Sequence, residues 1–258
     1  MSEALSDGIA RASSLLDEAE SVVVLTGAGV SAESGVPTFR GDEGLWRSYR
    51  PEELATPEAF ERDPVLVWEW YQWRRSLIAD CAPNPGHQAL ARLALLRERI
   101  TLVTQNVDGL HHRAARAEAA RLAGQSPEPA FPLEVHGAIH RDRCSGCGHR
   151  TDAATGEEPG PPPCSICRAL LRPDVVWFGE TLDPSVIGAA QEAASAADVC
   201  LVAGTSALVH PAAGLPWLTI RAGGAVVEVN PDETPLTGAA EISLRGRSGH
   251  VLPRIIRD

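Results

Sequence analysis

Lysine is absent from this 258-residue sequence, because all 23 of its basic residues are arginines. Acidic residues number 34, so the formal net charge at pH 7 is −11, which opposes binding to nucleic-acid backbones and anionic membrane surfaces. No apolar run approaches the roughly 18 residues that a membrane-spanning helix needs. The N-terminal segment lacks the basic start and apolar centre of a secretion signal. We therefore expect a cytoplasmic protein that binds neither nucleic acid nor membrane. Since it has no lysine, it cannot itself be acylated on a lysine side chain.

The alternation of short aliphatic stretches with amphipathic ones predicts an α/β fold. Hydrophobic residues make up 44% and charged residues 22% of the chain, values typical of a globular protein with a sizeable core. The stretches with strand character are 22–26, 100–104, 175–178, 199–203 and 225–230. The stretches with helical character are 4–20, 86–99 and 184–197. Because the strands are apolar throughout rather than alternating, they indicate a Rossmann-like parallel sheet with helices on both faces.

Two segments interrupt this alternation and predict a smaller second domain. Residues 45–86 form a helical insertion that contains four of the six tryptophans, and residues 138–171 hold the paired cysteines and a proline-rich run. The large nucleotide-binding domain is then predicted to consist of 1–44, 87–137 and 172–258. Within it, segment 126–132 is predicted to be a plain loop.

Four of the six cysteines form two Cys-x-x-Cys pairs, Cys144 with Cys147 and Cys164 with Cys167, separated by 16 residues. In a chain without an export signal, this pattern indicates a metal site rather than disulfides. Two such pairs can surround Zn²⁺ tetrahedrally, and four thiolates leave no position for a reactive water. We predict one structural zinc ion, with an iron–sulfur cluster or free thiols as the alternatives.

The strand at 22–26 runs directly into Gly27-Ala28-Gly29, and this geometry lets backbone amides approach a pyrophosphate. An ordinary dehydrogenase is disfavoured, because Ala32 replaces the third glycine of the common fingerprint and no acidic residue ends a second strand. Small or polar residues also follow three other strands: Gln105, Asn106 and Asp108, then Gly204, Thr205 and Ser206, then Asn230, Pro231 and Asp232. Since the carboxyl ends of parallel strands meet at one edge, they predict one extended cleft that suits NAD.

Taken together, these motifs resemble those of the sirtuins, the NAD-dependent protein deacylases. The segments that carry the resemblance are 27–40, 104–111, His136-Gly137, the two cysteine pairs, 176–180 and 204–206, and the similarity extends over about residues 14–256. Thr38 stands where many sirtuins have aspartate, and it resembles the class III, desuccinylase-like branch.

The resemblance implies a reaction that consumes NAD. The acyl oxygen of a substrate lysine captures C1′ of the ribose as nicotinamide leaves, and the products are free lysine and O-acyl-ADP-ribose. His136 is the implied general base at the ribose hydroxyls, since an imidazole suits proton removal near neutral pH. Asn106 and Asp108 would hold the nicotinamide carboxamide. The other implied cofactor-binding residues are Gly27, Ala28, Gly29, Ser31, Phe39, Arg40, Trp46, Gln105, Val107, Gly204, Thr205, Ser206, Asn230, Pro231, Asp232 and Ser248.

Tyr71 and Arg74 lie three residues apart on a predicted helix, so they face the same side about 60° apart. A phenol beside a guanidinium can bind a carboxylate. Class III sirtuins have a similar Tyr-x-x-Arg arrangement for succinyl-, malonyl- and glutaryl-lysine. The alternative is a Tyr–Arg pair on the protein surface that binds no ligand.

We expect a monomer whose substrate is an acylated lysine in a protein or peptide. The substrate chain is predicted to add a strand between 208–209 and a segment containing Val176, Phe178, Gly179 and Glu180. Two further functions remain open for the same residues. One is ADP-ribosyltransferase or lipoamidase activity in the same cleft, and the other is a zinc-ribbon binding module on a nucleotide-binding scaffold.

Overall fold

The computed structural model of the protein describes residues 3–37, 54–154 and 159–256. Its strands are β1 (Val22–Thr26), β2 (Ile100–Thr104), β3 (Leu133–Glu134), β4 (Gly137–Cys144), β5 (Arg150–Asp152), β6 (Leu171–Val175), β7 (Val199–Ala203), β8 (Ala225–Asn230) and β9 (Ile242–Arg245). Its α-helices are α1 (Glu3–Glu18), α2 (Ala28–Ala32), α3 (Pro57–Arg62), α4 (Pro64–Ala79), α5 (Pro85–Leu96), α6 (Leu110–Arg121), α7 (Pro184–Ala196), α8 (Leu215–Arg221) and α9 (Ser248–Ile255).

Six strands form one parallel sheet in the order β3-β2-β1-β7-β8-β9. Every side chain of β1 and β7 is buried, as continuous apolar strands require in a sheet that is covered on both faces. On one face, α1, α5 and α9 pack against Val22 and Val24, and on the other face α7 and α8 pack against Val23 and Leu25. The α/β prediction is therefore confirmed. The predicted strands 22–26, 100–104, 199–203 and 225–230 are confirmed as β1, β2, β7 and β8, whereas the edge strands β3 and β9 were not predicted.

The three predicted helices are confirmed as α1, α5 and α7, with ends that differ by at most three residues from 4–20, 86–99 and 184–197. α5 begins earlier than predicted because Asn84 caps it: the Asn84 side chain accepts a hydrogen bond from the amide of Gly86, and Pro85 occupies the first helical position. The predicted loop 126–132 contains a 3-10 turn at Glu128–Ala130. Among the described residues, no helix combines the length and apolar character that crossing a bilayer requires.

A second sheet has three antiparallel strands in the order β5-β4-β6. The prediction of a parallel strand at 175–178 is wrong, because the strand is β6 and it pairs with β4. Arg172 and Asp174 are buried within β6 by ion pairs, so this strand lacks the apolar signature of the main sheet. Residues 172–175, which the prediction assigned to the large domain, belong to this second sheet.

The described part of the tryptophan-rich insertion is helical and packs on the second sheet through α3 and α4. Arg75 connects α4 to β4, since its Nη2 lies 2.5 Å from Asp142 Oδ1 and its Nε donates to the carbonyl oxygen of Ile139 at 2.7 Å. The Asp142 side chain is fully buried and also accepts a hydrogen bond from the amide of Ala154. This ion pair therefore joins the helical insertion to the strand that leads to the cysteines.

Candidate active site

A cleft of about 630 Å³ opens at the carboxyl ends of β1, β2, β7 and β8. It lies next to β1, where the strand order reverses: β2 and β3 lie on one side of β1, and β7, β8 and β9 lie on the other. Open α/β sheets bind ligands at such a position. Twelve residues predicted from the sequence line it: Gly27, Ala28, Gly29, Gln105, Asn106, His136, Gly204, Thr205, Ser206, Asn230, Pro231 and Asp232. Further lining residues that were not predicted to bind a cofactor are Ala32, Glu33, Leu208, Val209, Glu233, Thr234, Pro235 and Arg247.

The glycines at the ends of β1 and β7 bring two loops into direct contact. Gly29 donates its amide hydrogen to the carbonyl oxygen of Gly204 at 2.8 Å, and Gly27 donates to that of Ala203 at 3.1 Å. Gly204 has φ +60°, and a Cβ at this position would lie 2.4 Å from the amide nitrogen of Val30. The amides of Gly27 and Gly29 are therefore used within the protein, so these glycines supply close approach rather than the predicted donors to a pyrophosphate.

Ser31 is the centre of a buried hydrogen-bond network beneath the cleft. Its hydroxyl donates to Asp108 Oδ2 at 2.7 Å and accepts from Asn106 Nδ2 at 3.1 Å. The remaining partner of the hydroxyl is His87 Nε2 at 3.3 Å. Asn106 Nδ2 also donates to the carbonyl oxygen of Gly27 at 3.1 Å. Asn106 reaches the cleft, whereas Ser31, Asp108 and the neighbouring Val107 lie below its surface, where they orient the groups above them.

Two histidines for which the sequence predicted no role in the site, His87 and His111, extend this network. Their rings are 4.8 Å apart, and His111 Nε2 lies 3.0 Å from Thr26 Oγ1. Burial lowers the pKa of His87 to about 4 and lowers the pKa of His111 well below its usual value, so both are neutral at pH 7. The amide of Asn84 donates to His87 Nδ1, which assigns the ring proton of His87 to Nε2. His111 lies on α6, close to the polar segment that follows β2, and this position was the signal that the sequence offered for it.

His136 lies at the wall of the cleft, partly buried. Its Nδ1 is 3.0 Å from the carbonyl oxygen of Gln105, and a carbonyl can only accept, so Nδ1 carries the ring proton and Nε2 is the basic nitrogen. Burial lowers the pKa of His136, and the hydrogen bond to Gln105 partly offsets this effect. The Gln105 side chain donates to Thr205 Oγ1 at 3.0 Å, so the supporting carbonyl is itself held by the loop after β7.

At the far end of the cleft, Asn230 Nδ2 donates to the carbonyl oxygen of Thr205 at 3.3 Å. Ser248 is buried at the start of α9 and does not line the cleft, although the preceding Arg247 does. Glu33 accepts a hydrogen bond from the amide of Gly249 at 2.7 Å, which holds α9 against the cleft wall. The predicted residues Thr38, Phe39, Arg40 and Trp46 lie outside the described residues.

Tyr71 and Arg74 are both buried on α4, with 1% and 4% of their surfaces exposed, so the alternative of a pair on the protein surface is wrong. Tyr71 Oη accepts a hydrogen bond from Trp177 Nε1 at 2.9 Å. The Arg74 guanidinium carbon lies 4.8 Å from the ring centroid of Trp70 and 5.5 Å from that of Tyr71. Burial raises the pKa of Tyr71 and lowers the pKa of Arg74. The two polar side chains are therefore enclosed together among aromatic rings.

The predicted peptide-binding segment is already hydrogen-bonded on its amide side. The Val176 amide donates to the carbonyl oxygen of His136, the Phe178 amide to that of Ala55, and the Trp177 amide to a carboxylate oxygen of Glu180. The Glu180 side chain is engaged with two arginines rather than turned towards a ligand. A peptide strand on this segment would therefore use its carbonyl oxygens, Gly179 and the exposed ring of Phe178.

The four predicted metal ligands, Cys144, Cys147, Cys164 and Cys167, converge, with their Sγ atoms all within 4.8 Å of one another. Zn–S bonds of about 2.3 Å imply S···S distances of about 3.8 Å in a tetrahedron. The Cys147–Cys164 distance of 3.8 Å and the Cys144–Cys167 distance of 3.3 Å fit an ion of that size. Amides of Gly146, Cys147 and Ile166 donate to sulfur atoms, as expected around thiolates. The donor set fits a closed, structural zinc site.

Comparison with known proteins gives consistent matches over most of the chain. The model of the Sir2 family matches residues 27–211. The chain is 50% identical over 244 residues to the NAD-dependent protein deacylase 2 of Pyrobaculum aerophilum, covering 95% of this chain and 93% of that protein. It is 48% identical over 241 residues to the NAD-dependent protein deacylase 1 of Archaeoglobus fulgidus, covering 93% of each.

The structure is also similar to solved structures. The crystal structure of a Sir2 homologue in complex with NAD superposes with a TM-score of 0.86 at 46% identity, covering 96% of this chain and 92% of that one. At this identity and coverage, the two chains share the same fold.

Proposed function

The chain belongs to the Sir2 family, and we propose that it is an NAD-dependent protein deacylase that prefers lysine acyl groups ending in a carboxylate. The cleft at the carboxyl ends of four parallel strands carries the first part of this proposal, because it brings His136 and Asn106 to one cavity of a size that suits a dinucleotide. The buried pair of Tyr71 and Arg74 carries the second part. One zinc ion at the four cysteines would stabilise the second sheet without taking part in the reaction.

In this proposal the residues divide the work by position. Bound NAD supplies the ADP-ribosyl group that accepts the acyl group from lysine. Asn106, held by Ser31 and by the carbonyl oxygen of Gly27, orients the nicotinamide carboxamide. His136 Nε2 accepts a proton from a ribose hydroxyl, since Nδ1 is kept protonated by the carbonyl oxygen of Gln105. Asp108 acts from beneath by holding Ser31.

The preference among acyl groups follows from burial. Hydrogen bonds to a charged group contribute about 1.5–3 kcal/mol each, so two of them correspond to a preference on the order of 10²-fold or more. A ligand carboxylate beside the Arg74 guanidinium would also offset the cost of keeping that charge out of water. Acetyl-lysine is smaller and enters the same site without this gain. We propose that succinyl-, malonyl- and glutaryl-lysine are better substrates than acetyl-lysine, and that the enzyme acts as a cytoplasmic monomer.

The decisive experiment incubates the zinc-loaded protein with NAD and matched peptides that carry acetyl-, malonyl-, succinyl- or glutaryl-lysine. Nicotinamide release and peptide mass are followed together. We expect one nicotinamide for each acyl group lost and a higher kcat/KM for the acidic acyl groups. Gain of ADP-ribose by the peptide would indicate a transferase. With an added lipoyl-lysine peptide, loss of the acyl group from that peptide alone would indicate a lipoamidase. Equal kcat/KM for acetyl and succinyl peptides would contradict the acyl preference and leave the deacylase assignment intact.

A further inference from the structure

The hydroxyl of Tyr71 is held from the side opposite to its helix by a residue that the proposed reaction does not use. Trp177 follows β6, 106 positions from Tyr71, and its Nε1 donates to Tyr71 Oη at 2.9 Å. Both residues are buried in the aromatic cluster between α4 and the second sheet. No motif in the sequence connects them, because the contact exists only after the second sheet packs on α4.

This hydrogen bond determines what Tyr71 can still do. A phenol has one hydrogen to donate and two lone pairs that accept, whereas an indole N–H can only donate. Trp177 therefore occupies an acceptor position of Tyr71 Oη, and the hydroxyl hydrogen must point elsewhere. A hydroxyl held in this way is oriented as a donor, which is the role that a ligand carboxylate requires of it.

The Trp177 indole is itself held in place by Arg172, whose guanidinium lies over the face of the ring. The Arg172 guanidinium carbon lies 3.1 Å from the ring centroid of Trp177, and Arg172 Nη2 donates to the carbonyl oxygen of Val175 at 2.8 Å. Arg172 is paired with Glu180, which also accepts from the Trp177 amide at 2.8 Å. Burial favours the neutral form of Glu180, but hydrogen bonds from Arg172 and the Trp177 amide outweigh it and lower the pKa of this carboxyl, so it stays ionised. Side chain and backbone of Trp177 are thus both fixed.

We propose that Trp177, held by Arg172 and Glu180, is a positioning residue for acyl selectivity: its Nε1–H orients the Tyr71 hydroxyl so that its hydrogen points at the distal carboxylate of the acyl group. The inference rests on the proposed acyl preference. It assigns a function to a residue that touches neither NAD nor the reacting atoms. It predicts that selectivity for acidic acyl groups depends on one indole N–H in the segment that follows the second sheet.

The test is Trp177→Phe, which keeps an aromatic ring and removes the donor. The readout is the ratio of kcat/KM for a succinyl-lysine peptide to kcat/KM for the matched acetyl-lysine peptide. One neutral hydrogen bond corresponds to a decrease of about three- to tenfold in this ratio, and we expect it mainly as a higher KM for the succinyl peptide. Phe60→Leu is the matched control, because Phe60 packs 5.4 Å from the Trp177 ring without a hydrogen bond to it and should leave the ratio unchanged.

A double-mutant cycle separates orientation from packing. In the Tyr71→Phe background there is no hydroxyl to orient, so Trp177→Phe should lower the ratio no further. A second decrease there, or an unchanged ratio in the single variant, would overturn the inference. If Trp177→Phe does not fold, β-(benzothiophen-3-yl)alanine incorporated at position 177 keeps the shape of the indole and removes only the N–H. If Arg74→Met and Tyr71→Phe leave the ratio unchanged, the proposed acyl site itself is wrong, which is a separate outcome.

Discussion

Ser31 Oγ lies 2.7 Å from Asp108 Oδ2 and donates its hydrogen to that carboxylate, although the two residues are 77 positions apart in the sequence. The same oxygen accepts from Asn106 and from His87. One hydroxyl on α2 therefore satisfies three buried polar groups: His87 on α5, and Asn106 and Asp108 in the loop after β2. A substitution of Ser31 affects all three of them at once.

Ser31→Ala should lower the free energy of unfolding by about 1–3 kcal/mol, because it leaves buried polar partners without their hydrogen bonds. It should also raise KM for NAD, since the side-chain amide of Asn106 then keeps only one of its two hydrogen-bond acceptors, the carbonyl oxygen of Gly27. Ser13→Ala is the matched control: Ser13 is equally buried, but its Oγ has no hydrogen-bond partner in the described structure. Urea unfolding and NAD titration measure both effects. Similar losses in the two variants would contradict the network.

The pH profile should report His136. Because burial lowers the pKa of this imidazole, kcat/KM is expected to rise with pH through a value below 6.5 and to be level at neutral pH. His136→Asn should decrease kcat/KM by about 10²–10⁴-fold and remove this acid limb. His250, which is exposed, provides the control variant His250→Asn with an unchanged profile. An acid limb centred above pH 6.5 in the native enzyme would contradict the assignment.

Stability should fall on mild acidification because of His87. In the folded protein its pKa is about 4, below the value of about 6.5 that it has when unfolded, so the unfolded chain binds the proton first as the pH falls. The stability that His87 contributes is complete above about pH 6.5 and is lost between there and pH 4, which corresponds to about 2 kcal/mol at pH 5. Urea unfolding at pH 7, 6 and 5 measures it. A His87→Gln variant should have a flatter dependence, and a slope as steep as in the native protein would refute the prediction.

Metal analysis should give one zinc per chain, released together with unfolding of the second sheet. Cys144→Ala should abolish zinc binding, because three thiolates do not close the site. Cys81→Ala is the control, since Cys81 lies on another part of the fold and should leave the zinc content at one. Mass spectrometry of the native protein and protease sensitivity of the second sheet provide the readout. Full zinc occupancy in Cys144→Ala would show that the ligands are different.

Most strands of the main sheet were predictable because each has a clear local signal in the sequence. β1, β2, β7 and β8 are continuous aliphatic segments, and each ends at small or polar residues that line the cleft. β6 was mislocated for the opposite reason, since Arg172 and Asp174 are buried by ion pairs that no local pattern can reveal. β3 contains only two residues and β9 lies at the sheet edge, so neither has a long apolar run.

In the candidate site, too, residues with a local sequence signal were predicted and residues that depend on distant partners were not. The two cysteine pairs were predicted from their spacing, and Asn106 was predicted to face the cleft from its position directly after a strand. His87, His111 and Trp177 were missed because their importance comes from partners far away in the chain. Gly27 and Gly29 line the cleft, but their own amides donate to the carbonyl oxygens of Ala203 and Gly204, a contact that the sequence did not reveal.

The ion pair between Arg75 and Asp142 restricts how this fold can be recombined. A chimera that takes α4 from this protein to alter acyl preference would bring Arg75 into an interior where a relative need not have the matching carboxylate. A lone buried cation costs about 3–5 kcal/mol, a large share of what holds a domain together. Helix α4 must therefore be transferred together with β4, the strand that leads into the first cysteine pair.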